Sequence, residues 1–338
     1  MPTQTLYQRA TEKMRDIVVV LLDLSERTNN FSLPPPTVWE NELESQLLLG
    51  GLGYHPNSLP PVERRHDAWL ARSAVSFSIE HAATGVLYER LKPVVNEMIQ
   101  TAYKQTNNFS NVTPEWIYDN PHLLPILMHA AATFSKQELK RLVGSVSDTG
   151  VSRPASQRLA ELVAGLDQSA VASPSQVRER MRATTEGIVR DLVGRILLEE
   201  FVATALQNAG VPFRRESEYE ALAGVVYDFR ADFVVPDERN PLAFLEVRKS
   251  SARHASLYAK DKMFSAINWK GRHLHCLGIL IVDGPWTESS LDVMSHVFDY
   301  VVPIRSASDV AKAVRRYFDG DRTVLRWLIH FSIEAHQT

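Results

Sequence analysis

Residues 227–249 constrain the fold of this chain more than any other stretch. Two apolar, β-rich runs, Tyr227-Asp-Phe-Arg-Ala-Asp232-Phe-Val-Val-Pro236 and Pro241-Leu-Ala-Phe-Leu-Glu246-Val-Arg-Lys249, flank the polar segment Asp237-Glu-Arg-Asn240. Such runs around turn-forming residues make a β-hairpin. A hairpin centred on Arg239 sets Asp232 opposite Glu246, since both lie equally far from that centre. Directly opposed residues share a face, with Cβ atoms about 4.5–5.5 Å apart. Two carboxylates so placed repel, and folding alone gives no reason for them. A hard cation between them removes the difficulty, because Mg²⁺ takes oxygen ligands and is commonly held by one or two carboxylates with water and phosphate. Arg248 returns to the face of Glu246 by the period of two. The bland alternative is a wet strand face on which Arg248 merely neutralises Glu246. Against it, Val234, Phe244 and Leu245 imply a partly buried hairpin.

The surrounding pattern extends this. Upstream, Ser173-Pro-Ser175 caps an expected long helix whose apolar positions Ile188, Leu192, Ile196, Ala203 and Leu206 recur at helical spacing until Gly210 stops it. Glu199 lies on that apolar side, where a carboxylate is costly unless paired or liganded. Its neighbour Glu200 is the alternative inward acid. Downstream, a helix is expected over 255–266, carrying Lys260 and Lys262, then a buried strand over 273–282, a helix near 291–298, a strand over 300–304 and a helix over 309–318. The order helix, three strands, helix, strand, helix, strand, helix describes helices packed on a mixed sheet, an α/β class.

Over roughly 175–320, a little under half of the chain, this arrangement resembles the PD-(D/E)XK nuclease superfamily, the fold of type II restriction endonucleases. The resemblance implies a restriction-endonuclease-like core: a mixed central sheet flanked by helices. It makes Asp232 and Glu246 the Mg²⁺ ligands, with the carbonyl of Val247 as a possible third. It also matches Glu199, eleven residues before Gly210, to the acid that the family often carries on its first helix. The departure is at the motif lysine. Two residues after Glu246 stands Arg248, which stays charged but is a poor proton shuttle at neutral pH. Lys249, turned inward by a bulge, or Lys262, reaching in from the next helix, are the other candidates for that role. The implied activity is hydrolysis of phosphodiester bonds in double-stranded DNA by a type II restriction enzyme using Mg²⁺, or Mn²⁺ in its place. A homodimer and a companion DNA methyltransferase come with the resemblance. The alternatives are a structure-directed repair or defence nuclease, and a catalytically inactive DNA-binding or scaffold protein with the same fold.

Composition bounds the remainder. The chain has 338 residues, 44% hydrophobic and 23% charged, enough for two domains with cores of their own. The expected division is a mostly helical domain over 1–170, for target recognition or dimerisation, and the nuclease-like domain over 171–338, with the boundary in the Ala/Ser-rich stretch 169–175. Helical runs are expected over 7–24, 37–49, 67–101 and 136–146. The apolar stretch 17–22 is too short to span a bilayer, and no signal peptide precedes it. One cysteine, Cys276, excludes a disulfide framework and suits a cytoplasmic protein. A net charge of −3 argues against indiscriminate polyanion binding but allows local positive patches. Candidate patches are Arg178, Arg180 and Arg182; Arg214 and Arg215; and Trp269-Lys270-Gly271-Arg272-His273. The group His66, Asp67 and Trp69 after Arg64-Arg65 suggests a satisfied surface cluster. No metal-spaced Cys/His set, phosphate-binding glycine loop, Ser-His-Asp constellation or internal repeat is apparent.

Overall fold

The computed structural model of the protein describes residues 4–131, 136–144, 146–165, 171–250, 255–330 and 333–334. The first two residues of the expected 169–175 boundary lie outside them. The chain forms two compact units, neither continuous in sequence. One comprises residues 1–17 and 37–194, the other 18–36 and 195–338. The first helix, α1 (Leu6–Arg27), contributes to both. Its buried residues Leu6, Ala10, Met14, Ile17, Val18, Leu21 and Leu22 recur at intervals of three and four, as an amphipathic helix requires. Among the described residues no helix is long and apolar enough to cross a membrane.

The first unit is helical, with one short ribbon. α2 (Glu42–Gly51) starts at Asn41, whose side chain accepts hydrogen bonds from the backbone N–H of Leu43 and Glu44. α3 (Val62–Leu70) and α4 (Ile79–Gln105) take the place of the single helix expected over 67–101, because Ser78 opens α4 by accepting from His81 N–H. α5 (Pro114–Asp119) is capped by Thr113, and α6 (Leu124–Ala131) follows it. α7 (Lys136–Val143) stops where Gly144 takes a φ of +97°. Strands β1 (Val146–Ser147) and β2 (Gly150–Val151) pair antiparallel before α8 (Arg153–Ala164) and α9 (Pro174–Arg195). Arg65 is buried, paired with Glu42 and bonded to the Trp39 carbonyl, and His66 lies between the rings of Trp39 and Trp69. Arg64, His66 and Asp67 are exposed, as expected of a surface cluster, while Arg65 and Trp69 are buried and anchor it to this unit.

A short repeat was not foreseen. Thr-Asn-Asn-Phe-Ser occurs at 28–32, after α1, and at 106–110, after α4. In both copies Asn, Asn and Phe take left-handed φ angles, 48°, 57° and 64° in the first and 49°, 57° and 64° in the second. Each threonine hydroxyl donates to the carbonyl four residues back and accepts from the phenylalanine N–H. Five residues are too few to register as a structural repeat period, yet identical local bonding imposes identical backbone.

The longer segment of the second unit begins where α9 ends. The expected single helix to Gly210 is broken at Ile196, and α10 (Leu197–Asn208) continues without a side-chain N-cap, ending at Gly210 with φ +66°. β3 (Arg214–Arg215), β4 (Phe233–Val235) and β5 (Ala243–Lys249) follow, then α11 (Ala255–Arg272), β6 (Leu277–Asp283), α12 (Glu288–Ser295), β7 (Tyr300–Pro303) and α13 (Ala307–Phe318). Among the described residues the sheet has five strands in the order β3-β4-β5-β6-β7. The first two pairings are antiparallel and the last two parallel. The protein is therefore mixed α/β, in the expected element order, and α11 and α12 supply the crossovers that parallel neighbours need.

The hairpin register is the expected one. Phe233 pairs with Leu245, Val234 with Phe244 and Val235 with Ala243, all symmetric about Arg239. Asp237 shapes the turn, its Oδ1 accepting from Arg239 N–H and Asn240 N–H. Behind the sheet, Phe244 meets Trp269 edge-on at 4.9 Å and Phe298 at 6.1 Å, contacts worth roughly 0.5–1.5 kcal/mol each beyond the buried area. Gly278 is needed there, since a Cβ would stand 2.8 Å from Phe244 Cζ. Cys276 is buried in the same core. So are Trp269 and Lys270, which removes them from the expected basic patch. Lys270 Nζ pairs with Asp299 Oδ2 at 2.5 Å, and the same carboxylate accepts from the N–H groups of Gly278, Arg326 and Trp327.

Candidate functional site

Asp232 immediately precedes β4 and Glu246 stands in the middle of β5, so the Phe233–Leu245 pair carries the register on to them. Both are removed from solvent, with side-chain exposures of 5% and 0%. Between them lies the guanidinium of Arg248. Its Nη1 is 2.6 Å from Asp232 Oδ2 and 2.7 Å from the carbonyl oxygen of Val247, and its Nη2 is 2.6 Å from Glu246 Oε2. Asp232 Oδ2 also accepts from Val247 N–H at 2.6 Å. Lys262, from α11, is 8% exposed and brings its Nζ within 3.4 Å of Glu246 Oε2. Neither Glu246 oxygen accepts a directed hydrogen bond; these cations hold it by charge rather than by aligned donors. Lys249 is exposed at the end of β5, so β5 does not bulge to bring it in.

The electrostatics follow from this packing. Burial pushes the Glu246 carboxyl up to about 7, with Asp232 adding repulsion and Arg248 and Lys262 offsetting part of it. Burial also acts against the charge on Arg248, but Glu246 and Asp232 outweigh it and hold the guanidinium above its ordinary range. The two acids at the start of α10 separate cleanly. Glu200 is buried and engaged by both terminal nitrogens of Arg215, at 2.9 and 3.1 Å. Glu199 is half-buried, and its carboxyl is raised first by burial and then by the charge of Asp232, with Arg248 lowering it. The core-facing acid is therefore Glu200, not Glu199 as the apolar spacing suggested; Glu200 joins α10 to β3, and Glu199 feels the charges of Asp232 and Arg248.

Asp232 and Glu246 thus present oxygen donors to a single cationic centre, together with the Val247 carbonyl. Their chemistry suits a hard divalent ion, and the buried Glu246 oxygens without directed donors are what such an ion would satisfy. Among the described residues no three acidic, histidine or cysteine side chains converge closely enough to form a complete metal cage. A cation here would draw its remaining ligands from water, backbone or phosphate.

Two residues outside the expected set support the geometry. Tyr219 donates its hydroxyl proton to the Ala231 carbonyl at 2.8 Å and accepts from Ala231 N–H at 2.6 Å, pinning the residue before Asp232. Burial holds its phenol well above the ordinary range. Arg215, expected in a basic patch, is committed to Glu200. The periodicity of its own short segment carries no sign of either role.

Four of the other arginines in the expected patches have local partners. Arg214 lies near Glu238, Arg178 donates to Asn96, Arg180 to the His129 carbonyl, and Arg182 pairs with Glu186. In the helical unit an open groove of about 720 Å³ is lined by Tyr88, Lys92, Arg178 and Arg182 among others. Lys92 there is paired with Glu89, and the groove converges no charge comparable to the hairpin site. No protein-family profile matches the chain, and no curated protein or solved structure shows significant similarity to it.

Proposed function

We propose that this protein is a metal-dependent endonuclease with a PD-(D/E)XK-type core, hydrolysing phosphodiester bonds of double-stranded DNA in the manner of a type II restriction endonuclease. One observation carries the reading: two opposed carboxylates and the Val247 carbonyl converge on a single cationic centre at one end of the β4–β5 hairpin. The order of elements and the mixed five-stranded sheet support it.

Asp232, Glu246 and the Val247 carbonyl would hold one Mg²⁺, or Mn²⁺ in its place. Such an ion lowers the pKa of a bound water and offsets charge on the leaving oxygen. The chain's own residues do the rest. Glu199, half-buried beside Asp232, orients the attacking water and accepts its proton. Lys262 is the interior lysine of the site and takes the place that the motif gives to a strand lysine; Lys249 is too exposed for it. Arg248 supplies a fixed charge to the phosphate, which a guanidinium grips through two parallel bonds. A homodimer in which each subunit cuts one strand follows from the family resemblance.

A second reading has its own support. Arg248 already bridges both carboxylates, occupying the place of a metal as a core that has lost its chemistry would, and such a protein would bind DNA without cutting it. Incubating the purified protein with phage-length DNA and Mg²⁺, beside a chelator control and the Glu246→Ala and Asp232→Ala variants, separates these. Discrete fragments absent from every control are the expected result. A smear with the same dependence would indicate a structure-directed or nonspecific nuclease. Binding without cleavage across divalent metals would sink the enzymatic reading.

A further inference from the structure

The guanidinium of Arg248 contacts the three oxygens that would ligate the metal: Asp232 Oδ2, Glu246 Oε2 and the Val247 carbonyl, at 2.6 to 2.7 Å. Mg²⁺ needs such oxygens at about 2.0–2.1 Å in near-octahedral array. The two cations cannot share them, because a divalent ion at ligand distance would sit against the guanidinium nitrogens with like charge and overlapping volume. Their occupancies are therefore exclusive.

Arg248 also has a way out. Its side chain is 26% exposed, whereas those of Asp232 and Glu246 are 5% and 0% exposed, so the guanidinium covers the solvent side of the carboxylate pair. Behind it, Lys262 keeps a positive charge on Glu246 when the arginine leaves. The anion best suited to draw a guanidinium outward is a phosphate, which it meets with two parallel hydrogen bonds.

We infer that Arg248 is a built-in competitor of the metal: it holds the carboxylates in the free protein, and a phosphodiester that engages its guanidinium opens the site to the divalent ion. This rests on the nuclease reading and adds an order to it, with metal entry following substrate. Metal loading in the absence of substrate phosphate is thereby suppressed, and binding of metal and phosphodiester becomes mutually reinforcing.

The test reads Mn²⁺ binding to the full chain by electron paramagnetic resonance, without any DNA, in the wild type, R248K, R248Q and the double variant D232N/R248K. Lysine keeps the charge but has no second donor arm for the opposed oxygens, and R248Q covers the case in which R248K folds poorly. The expected result is that R248K or R248Q binds Mn²⁺ at least about ten-fold more tightly than the wild type, the lower end of the coupling measured for close charge pairs. D232N/R248K should lose that gain. Millimolar dimethyl phosphate, a minimal phosphodiester, should tighten Mn²⁺ binding by the wild type and leave R248K unchanged. Equal, tight Mn²⁺ binding by wild type and both single variants would overturn the competition and leave the nuclease reading standing. Absence of binding in every form, with and without dimethyl phosphate, would overturn both.

Discussion

His122, His129 and His273 each stand below the ordinary imidazole range, first because burial disfavours the charged ring. Arg9 adds to this at His122, Arg180 at His129 and Arg272 at His273. The Nδ1 atoms of His122 and His129 find no hydrogen-bond partner, and His129 Nε2 meets Thr184 Oγ1 at 3.0 Å. Folding thus favours the neutral ring at all three. The unfolded chain takes up these protons near pH 6.5, while the folded chain resists until lower pH, so stability is full above that value and falls as pH drops through it. Glu246, raised to about 7, contributes in the opposite direction over the same range, so the histidine part is read as a difference. Thermal midpoints between pH 7.5 and 5.5 should fall less, or rise more, in His129→Gln than in the wild type, and identical slopes would refute the assignment. At the same scale Asp232, Glu246 and Arg248 were legible in sequence, since alternation on a hairpin dictates which side chains share a face. The choices between Glu199 and Glu200, and between Lys249 and Lys262, were not. Helical spacing leaves two adjacent residues nearly equivalent, and only the position of Arg215 assigned Glu200 to a structural pair.

Among the elements, the twice-used Thr-Asn-Asn-Phe-Ser turn ends two long helices by a device that does not need glycine. Left-handed backbone costs an ordinary residue about 1–2 kcal/mol, which asparagine tolerates better than most and phenylalanine does not. The buried threonine hydroxyl offsets that cost by satisfying a helix carbonyl and the phenylalanine N–H together. Thr28→Val or Thr106→Val leaves that buried N–H without a partner and should each lower stability by about 1–3 kcal/mol, read from urea unfolding. Asn30→Gly should be near neutral where Asn30→Ala is destabilising. If valine were tolerated at both positions, the hydroxyl would not be what sets the turn. The order of elements from α10 to α13 was legible, because strands and helices alternate with clear changes of period. The breaks at Ile196 and between α3 and α4 were not, as apolar spacing runs through both.

At the scale of the molecule, the chain passes between its two compact units after residues 17, 36 and 194. Residues 18–36 belong with the sheet-bearing unit: Ser25 Oγ donates to the Arg305 carbonyl at 2.9 Å, and Glu26 meets Lys312 at 3.2 Å. Val18, Leu21, Leu22 and Leu24 are buried. A fragment of residues 171–338 lacks this segment and exposes the surface it covers. It should show no cooperative thermal transition under conditions where the full chain melts cooperatively, as followed by circular dichroism. A sharp transition in the fragment would show that 18–36 is dispensable.

Local chemistry determined the hairpin, its register about Arg239 and the alternation of helices and strands, because turn residues and periodicities of two and 3.6 act over a few neighbours and need no partner elsewhere. The tertiary structure alone decided which cation occupies the carboxylate pair, that Lys262 joins it from α11, that Trp269 and Lys270 are core, and that residues 18–36 pack with elements far along the chain. Those outcomes depend on burial and on charges brought together across the fold, and sequence spacing carries neither.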